Sequence, residues 1–357
     1  MWVNDLIVYI MVGFLCLGAL DKLLGNKMGL GQSFTNAFMT MGSLTLAMVG
    51  IVSLAPVIAA ILTPLISPVY GLVGADPAAF ANTILALDMG GYALAKEMAQ
   101  SQDAELFSWV FLGTMLGPTL VFTIPVALGI IEKEDHPYFA KGILLGIITV
   151  PIGCLAGGLI AQLDMVTVIR NLIPTIVLSI LISLGLWKMT DVMIKGFQCF
   201  AKLIEMIAII GLTAIIFETL TGFAVIPNMT PLEEGIKIVG MIVIVLAGAF
   251  PLVTFINQVF LKKLKKLGAL LRIDEKSTAG LIASLAHVIP MLTMLKEMTP
   301  RGKVFNVAFA VSGAFVLGGH LGFVAGMQQE MVFAMVVGKL VSGFCALVLA
   351  HVALEQV

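Results

Sequence analysis

Charge is what this sequence most lacks: Asp, Glu, Lys and Arg make up 11% of 357 residues, while hydrophobic residues make up 60%. A soluble domain carries about twice that charge density, and a mean hydropathy of +1.09 excludes a water-covered surface. No polar stretch is long enough for a soluble domain, so no ATPase or cytosolic enzyme is attached. There is no His-Glu-x-x-His zinc motif, no Gly-x-Ser-x-Gly elbow and no phosphate-binding glycine loop. The usual signatures of metallohydrolases, serine hydrolases and nucleotide-driven machines are therefore missing, and neither a metal nor a cofactor is expected. A net charge of −1 offers nothing to nucleic acid. Cys16, Cys154, Cys199 and Cys345 stand singly in apolar runs, without disulfide or zinc spacing, and read as small buried residues.

What the chain has is apolar length. Runs of about 20 residues, each able to cross roughly 30 Å of hydrocarbon as a helix, recur at 5–24, 38–64, 76–98, 105–131, 139–161, 166–187, 197–220, 236–260, 277–298, 304–327 and 331–354. The first follows Asn4 and Asp5 with no basic leader or cleavage signature, so it reads as a retained helix. The expected class is an all-α integral membrane protein of about 10–11 transmembrane or re-entrant helical segments. The basic run 262–266 lies between two spans and reads as topogenic, with its leucines on the membrane surface. Gly142 with Gly146, and Gly153 with Gly157, have the spacing that lets helices approach closely in lipid, so 139–161 should pack against a neighbour.

The two halves resemble each other. An offset of 200 residues brings Leu85 and Ala86 onto Leu285 and Ala286, and Lys96, Glu97 and Met98 onto Lys296, Glu297 and Met298. With one inserted residue, Leu116 to Thr119 fall on Leu317 to His320, and at an offset of 197 the run Asp21 to Gly25 resembles Glu218 to Gly222. Matches in one order at nearly one offset predict a duplication: a first membrane repeat over 1–161, a linking helix and loop over 162–196, and a second membrane repeat over 197–357. Each repeat then has five segments. If all eleven segments crossed, the basic loops 262–272 and 301–303 would fall on opposite sides, against the positive-inside bias. If instead the polar segments three and nine enter and return on one side, both loops become cytoplasmic and the Glu233-Glu234 loop external. The N-terminus is then outside and the C-terminus cytoplasmic, and the repeats are inverted, as in many secondary transporters. Eleven crossings with parallel halves is the competing arrangement.

Ionisable groups at membrane depth are costly and mark substrate or ion pathways. The stretch 82–98 is apolar enough to enter a bilayer, yet it carries Asn82, Asp88, Gly90, Gly91 and Tyr92. Broken backbone is tolerated only inside protein or beside water. Breaks are expected at Gly90-Gly91 and Gly117-Pro118-Thr119 in the first half, and at Pro290 and Gly318-Gly319 in the second. Helix ends there can meet either sign of ion; Asp88 tips the balance towards cations, and Tyr92, one turn on, adds an aromatic wall. The structural alternative for Asp88 is a hydrogen-bonded carboxylate between helices, and for Asn82 and Asn306 simple interhelical bonds. His287 and His320 lie near the second-half breaks, where they titrate near neutral pH or serve as hydrogen-bonded structural histidines. Lys96, Glu97, Lys296 and Glu297 read as rim residues.

At these residues the sequence resembles the ethanolamine-utilisation permease family of bacteria. The resemblance is carried by Asp88 to Glu97, Gly117 to Glu132, Pro151 to Gly158, Thr299 to Phe309 and His320 to Phe323. It implies a facilitator of ethanolamine in the bacterial plasma membrane, serving ethanolamine catabolism and most needed when acidity keeps the amine protonated. Ethanolammonium is small, cationic and hydroxylated, which suits Asp88 with Tyr92 or Thr119. Two departures fall in the second half: Ala286 to Pro290 stand where the family has Ala-Asn-Asn-Ile-Pro, and Gly318-Gly319-His320 where it has Gly-Asp-His. The loops are also shorter than the family's.

The expected substrate-binding set is Asn82, Asp88, Gly90, Gly91, Tyr92, Gly117, Pro118, Thr119, His287, Pro290, Gly318, Gly319 and His320, with no catalytic residue. Expected partners are ethanolamine or a similar small amine and membrane lipids, with self-association left open. The alternative is a proton- or sodium-coupled transporter of another small amine or polar solute. More remote is a membrane-embedded enzyme acting on an amine-bearing lipid headgroup, which would release a changed product where a permease only moves its substrate.

Overall fold

In the computed structural model, which describes residues 2–84 and 91–355, the chain is a succession of helices with no strand among the described residues. α1 (Trp2–Leu23), α2 (Leu30–Met39) and α3 (Met41–Gly71) lead to two short helices, α4 (Ala78–Ile84) and α5 (Gly91–Met98). An irregular rod follows, made of α6 (Gln102–Leu106), α7 (Leu116–Pro118) and α8 (Ile124–Ile130) joined by wide π turns and tight 3-10 turns. Then come four long helices: α9 (His136–Ile160), α10 (Met165–Lys188), α11 (Thr190–Thr221) and α12 (Leu232–Leu271). After them α13 (Glu275–Ala286) and α14 (Val288–Met294) are again short, and α15 (Pro300–Gly313), α16 (Gly319–Met327) and α17 (Val332–Glu355) complete the chain.

Among the described residues, eight helical stretches are long and apolar enough to cross a bilayer. Their outward faces stay apolar: Leu181 and Leu220 are 59% and 80% exposed, a surface suited to lipid and not to water. This is a multi-pass membrane protein. α12 differs from expectation, because the lysine run 262–266 is no loop: one helix of 40 residues runs through it. Leucine and lysine are both good helix formers and nothing there breaks the helix; at 1.5 Å per residue it is about 60 Å long, twice the hydrocarbon thickness. The cysteines also depart from the reading as uniformly buried: Cys154 is buried, but Cys16 and Cys199 are exposed, which costs little for a small apolar side chain facing lipid.

The helices form two compact units, each drawing on both halves of the sequence. One comprises Met1–Met39, Val126–Gly153 and Ile242–Val357; the other comprises Thr40–Pro125 and Cys154–Met241. In the first, a Cβ on Gly142 or Gly146 of α9 would lie 2.6 Å or 2.4 Å from Val307 or Val311 of α15, so these glycines let the helices touch, as their spacing predicts. In the second, a Cβ on Gly50 of α3 would lie 1.8 Å from the Ala208 carbonyl oxygen of α11. These helices meet backbone to backbone.

Two carboxylates set where the short helix pairs begin and end. Asp76 caps α4 by accepting from the Ala78 N–H at 2.9 Å, and its other oxygen accepts from the Gln100 N–H, just beyond α5, at 2.9 Å. The stretch 76–100 therefore starts and finishes at one place. α4, at seven residues, is about 10 Å long and cannot cross a bilayer alone. Asp274 does the same for the second pair. It accepts from the Ser277 N–H and hydroxyl at 2.9 Å and 2.6 Å, and from the Thr299 N–H and hydroxyl at 3.0 Å and 2.7 Å. Segments three and nine are thus each closed at the base like a hairpin. Beyond each base a hydroxyl caps the next helix: Ser101 accepts from the Ala104 N–H and Thr299 from the Gly302 N–H.

Candidate functional site

Buried polar side chains gather around each hairpin. In the unit that holds the first, Asn82 on α4 is 1% exposed. Its amide donates to the Gly91 carbonyl at the start of α5 (3.1 Å) and to the Ser108 hydroxyl in the rod (3.0 Å). Ser108 in turn donates to the Ala78 carbonyl. Asn82 thus joins the two arms of the hairpin to the rod, and a Cβ on Gly113 would come within 2.6 Å of its Oδ1. Tyr92, on the first turn of α5, sets its ring edge-on to Trp109, centroids 5.1 Å apart. α10 docks on the same hairpin: Asn171 accepts from the Asp76 N–H at 2.6 Å, and Thr175 lies 3.5 Å from Thr83. Asp88 and Gly90 lie outside the described residues.

Gly117, Pro118 and Thr119 do not form the expected open break. Leu116–Pro118 is a helical turn between a 3-10 turn before it and a π turn after it, and the irregular stretch begins earlier, at Phe107. Proline removes one N–H from the ladder, while the Thr114 and Thr119 hydroxyls bond back to the Val110 and Met115 carbonyls at 2.6 Å and 2.9 Å. The rod can therefore change its pitch instead of parting. Thr119 is 2% exposed and its hydroxyl serves the backbone.

In the other unit the second hairpin breaks at His287, whose φ of −157° and ψ of 140° separate α13 from α14. Pro290 is not the breaking residue. It sits in the first turn of α14, where an N–H would have no helical partner anyway. His287 caps that turn by accepting the Ile289 N–H on Nδ1 at 3.2 Å. Gly318 and Gly319 do mark a break, as expected: α15 ends at Gly313 and α16 begins at Gly319. Between them Phe315 takes a left-handed φ of 62°, which is strained for a bulky residue. The Phe315 and Leu317 N–H groups donate to the Ser284 and Leu285 carbonyls of α13, each at 2.9 Å. A Cβ on Gly318 would lie 2.0 Å from the Ala286 carbonyl oxygen, so only glycine allows this approach.

The break gathers both histidines: the Phe315 ring lies 4.9 Å from the His287 ring and 5.0 Å from the His320 ring, centroid to centroid. Beside it a buried hydroxyl chain runs from Thr149 on α9 through Ser342 on α17 (3.3 Å) to Ser312 on α15 (2.7 Å). A shallow cavity of about 240 Å³ opens at the foot of α14, flanked by Glu132 and Lys296, which lie 3.6 Å apart. Outside the spans, partial burial pushes the Asp274 carboxyl up, but the Ser277 and Thr299 hydrogen bonds outweigh this and hold it well below the usual carboxylate range. Sequence reasoning missed Lys339, which is 0% exposed on α17, although a lone charge in an apolar span is itself a signal. It also missed Asn171 and Ser108, which only the packing of the hairpin makes visible.

Long apolar helices around buried, broken segments define a polytopic membrane protein of the kind that holds a polar path through lipid. The chain belongs to the EutH family: the family model described as "Ethanolamine utilisation protein, EutH" matches residues 3–353. It is 62% identical over 346 residues, 97% of this chain and 94% of the relative, to "Uncharacterized protein YxeR" of Bacillus subtilis. It is 58% identical to "Probable ethanolamine permease EutH" of Listeria monocytogenes, covering 97% of this chain and 93% of that one. It is 44% identical to the protein of the same name in Salmonella typhimurium, covering 97% and 94%. No solved structure matches the chain.

Proposed function

We propose that the protein is a permease, not an enzyme, that carries ethanolamine as the ethanolammonium cation across the bacterial plasma membrane for catabolism. The observation that carries this reading is the 58% and 44% identity, over nearly whole chains, to proteins named ethanolamine permease. Asp88 is the proposed counter-charge. Tyr92 is proposed as an aromatic wall in the first half, and His287, Gly318, Gly319 and His320 as polar contacts at the break of the second half. Asn82 positions the first hairpin with its amide N–H groups, spent on Gly91 and Ser108, which leaves its carbonyl oxygen as the atom proposed to meet the cation.

The duplication belongs to the same proposal. The Ser101 cap on Ala104 recurs as the Thr299 cap on Gly302, 198 residues later, and Asp76 and Asp274 each accept an N–H from just beyond the second arm of their hairpin, Gln100 and Thr299, which supports two repeats, each with one hairpin. With two hairpins that return to the side they enter, the N-terminus lies outside and the C-terminus in the cytoplasm, and the basic stretches 262–272 and 301–303 share the cytoplasmic side. Single cysteines at Lys262 and Arg301 test this: both should be labelled from the cytoplasmic side only, and labelling from opposite sides would contradict it.

Transport itself is tested in cells lacking any other ethanolamine permease. Each pH unit below the amine's pKa cuts the freely permeant neutral fraction about tenfold, so carrier-dependent uptake should stand out most at acid external pH. Asp88→Asn should abolish uptake while leaving the protein folded. Wild-type rates from that variant would remove Asp88 from the mechanism.

A further inference from the structure

The cavity at the foot of α14 lies one short helix away from the break at His287: the seven residues of Val288–Met294 rise about 10 Å. It is lined by apolar Ile130, Ile131 and Leu292 and by polar Thr293, Glu132 and Lys296. The Glu132 turn is pinned in place, because the Asp135 N–H donates to the Glu132 carbonyl at 3.0 Å and the buried Asp135 carboxylate pairs with Lys303 on α15. Among the described residues the Glu132 carboxylate has no hydrogen bond, and the Lys296 ammonium that pairs with it stays 3.6 Å away. Lys276 and Glu297, at the base of the same hairpin, meet at 2.6 Å. Lys296 is 58% exposed and also acts on the Glu297 carboxylate, so its ammonium has water and a second carboxylate to turn to. Thr293 donates its hydroxyl proton to the Pro290 carbonyl at 2.9 Å, which leaves its oxygen as an acceptor.

A loosely paired carboxylate, a hydroxyl oxygen and apolar walls match an ammonium, a hydroxyl and the methylenes between them. We propose that this cavity is a binding site for a small amino alcohol in its ammonium form. Glu132 takes the ammonium, Thr293 Oγ1 accepts the ligand hydroxyl, and Ile130, Ile131 and Leu292 cover the methylenes. Lys296 yields Glu132 and turns to water and Glu297, so no charge is stranded in the cavity. An anion would meet the opposite arrangement, because Lys296 already faces two carboxylates while Glu132 faces one distant ammonium. The pair with Lys303 puts the cavity on the side of the stretch 301–303, which is cytoplasmic in the topology proposed above. The site is then a station for cargo between the break and the cytoplasm. That role rests on the permease reading; the binding of an amino alcohol does not.

The test reads the cavity locally. Ile130→Cys, in the full chain with Cys16, Cys154, Cys199 and Cys345 replaced by alanine, is reacted with methyl methanethiosulfonate in detergent while ethanolammonium chloride is raised at constant ionic strength. Ethanolammonium should slow the labelling in a saturable way. An exposed charge contact changes affinity a few-fold, so Glu132→Gln should raise the half-protection concentration about threefold or more, and Lys296→Met, which removes the competing ammonium, should lower it. Thr293→Val should erase the advantage of ethanolammonium over ethylammonium. No protection of a folded and reactive protein, protection unchanged by Glu132→Gln, or stronger protection by glycine, which carries both charges, would overturn the proposal. If Ile130→Cys does not fold, Thr293→Cys takes its place: protection that weakens with Glu132→Gln supports the site, and protection that does not overturns it. Wild-type uptake in vesicles reports separately on the permease reading, so protection without uptake would remove that reading and leave the site standing.

Discussion

Gly318→Ala should be among the most damaging small substitutions in this protein. The added methyl would lie 2.0 Å from the Ala286 carbonyl oxygen and 2.9 Å from its carbon. Carbon–oxygen contacts settle at about 3.3 Å or more, so the 314–318 segment and α13 must separate by roughly 1 Å. That separation breaks the Phe315 and Leu317 hydrogen bonds to Ser284 and Leu285, each 2.9 Å long. Each buried bond lost costs about 1–3 kcal/mol, giving roughly 2–6 kcal/mol together, at the upper end of single-substitution effects. For a chain of this size each kcal/mol lowers Tm by roughly 1–2 °C. Scanning fluorimetry in detergent should therefore show a drop of about 2–12 °C, and uptake should fall because both histidines take their aromatic contact from Phe315. Gly240→Ala is the control: it has nothing within 4 Å of the new methyl and should be neutral or slightly stabilising. A Gly318→Ala protein that melts within about a degree of wild type and transports fully would refute the reasoning.

Asn82→Ala should destabilise by about 2–4 kcal/mol, because it strands the Gly91 carbonyl and Ser108 in a buried site; an unchanged Tm would mean that the hairpin is held elsewhere. Asp274→Asn should lower Tm by the same amount at about pH 5 and about pH 8. A carboxyl with a depressed folded pKa contributes stability that is fully present above its unfolded value near 4 and is lost only as pH falls towards the folded value. A loss confined to the higher pH would contradict that sign. Gly50→Leu should prevent folding outright, since even its Cβ would sit 1.8 Å from the Ala208 carbonyl oxygen; a monodisperse, stable Gly50→Leu protein would show that α3 and α11 do not meet there.

Membrane character and helical class were legible in the sequence because each rests on local chemistry, the length and apolarity of the runs. The break at Gly318-Gly319 was legible because glycine pairs mark close backbone approach. Pro290 misled because proline disrupts a helix only beyond its first turn, and whether a residue falls in the first turn depends on where His287 ends the previous helix. At Gly117-Pro118-Thr119 the missing N–H was read correctly, but back-bonding hydroxyls and wide turns absorb it over a longer stretch. Lys339 was hidden by averaging: one lysine barely alters the hydropathy of a 24-residue helix. The carboxylates at the hairpin bases were visible only as segment boundaries, because a clamp from Asp76 to Gln100 exists only once the chain has turned back.

The central claim is tested most directly by sealed proteoliposomes loaded with buffer and given labelled ethanolamine outside. The account predicts saturable accumulation in the vesicles above the protein-free leak, with chemically unchanged ethanolamine recovered from the lumen and accumulation lost in Asp88→Asn. Uptake no faster than the leak, from protein shown to be folded, or a chemically altered product, would contradict it.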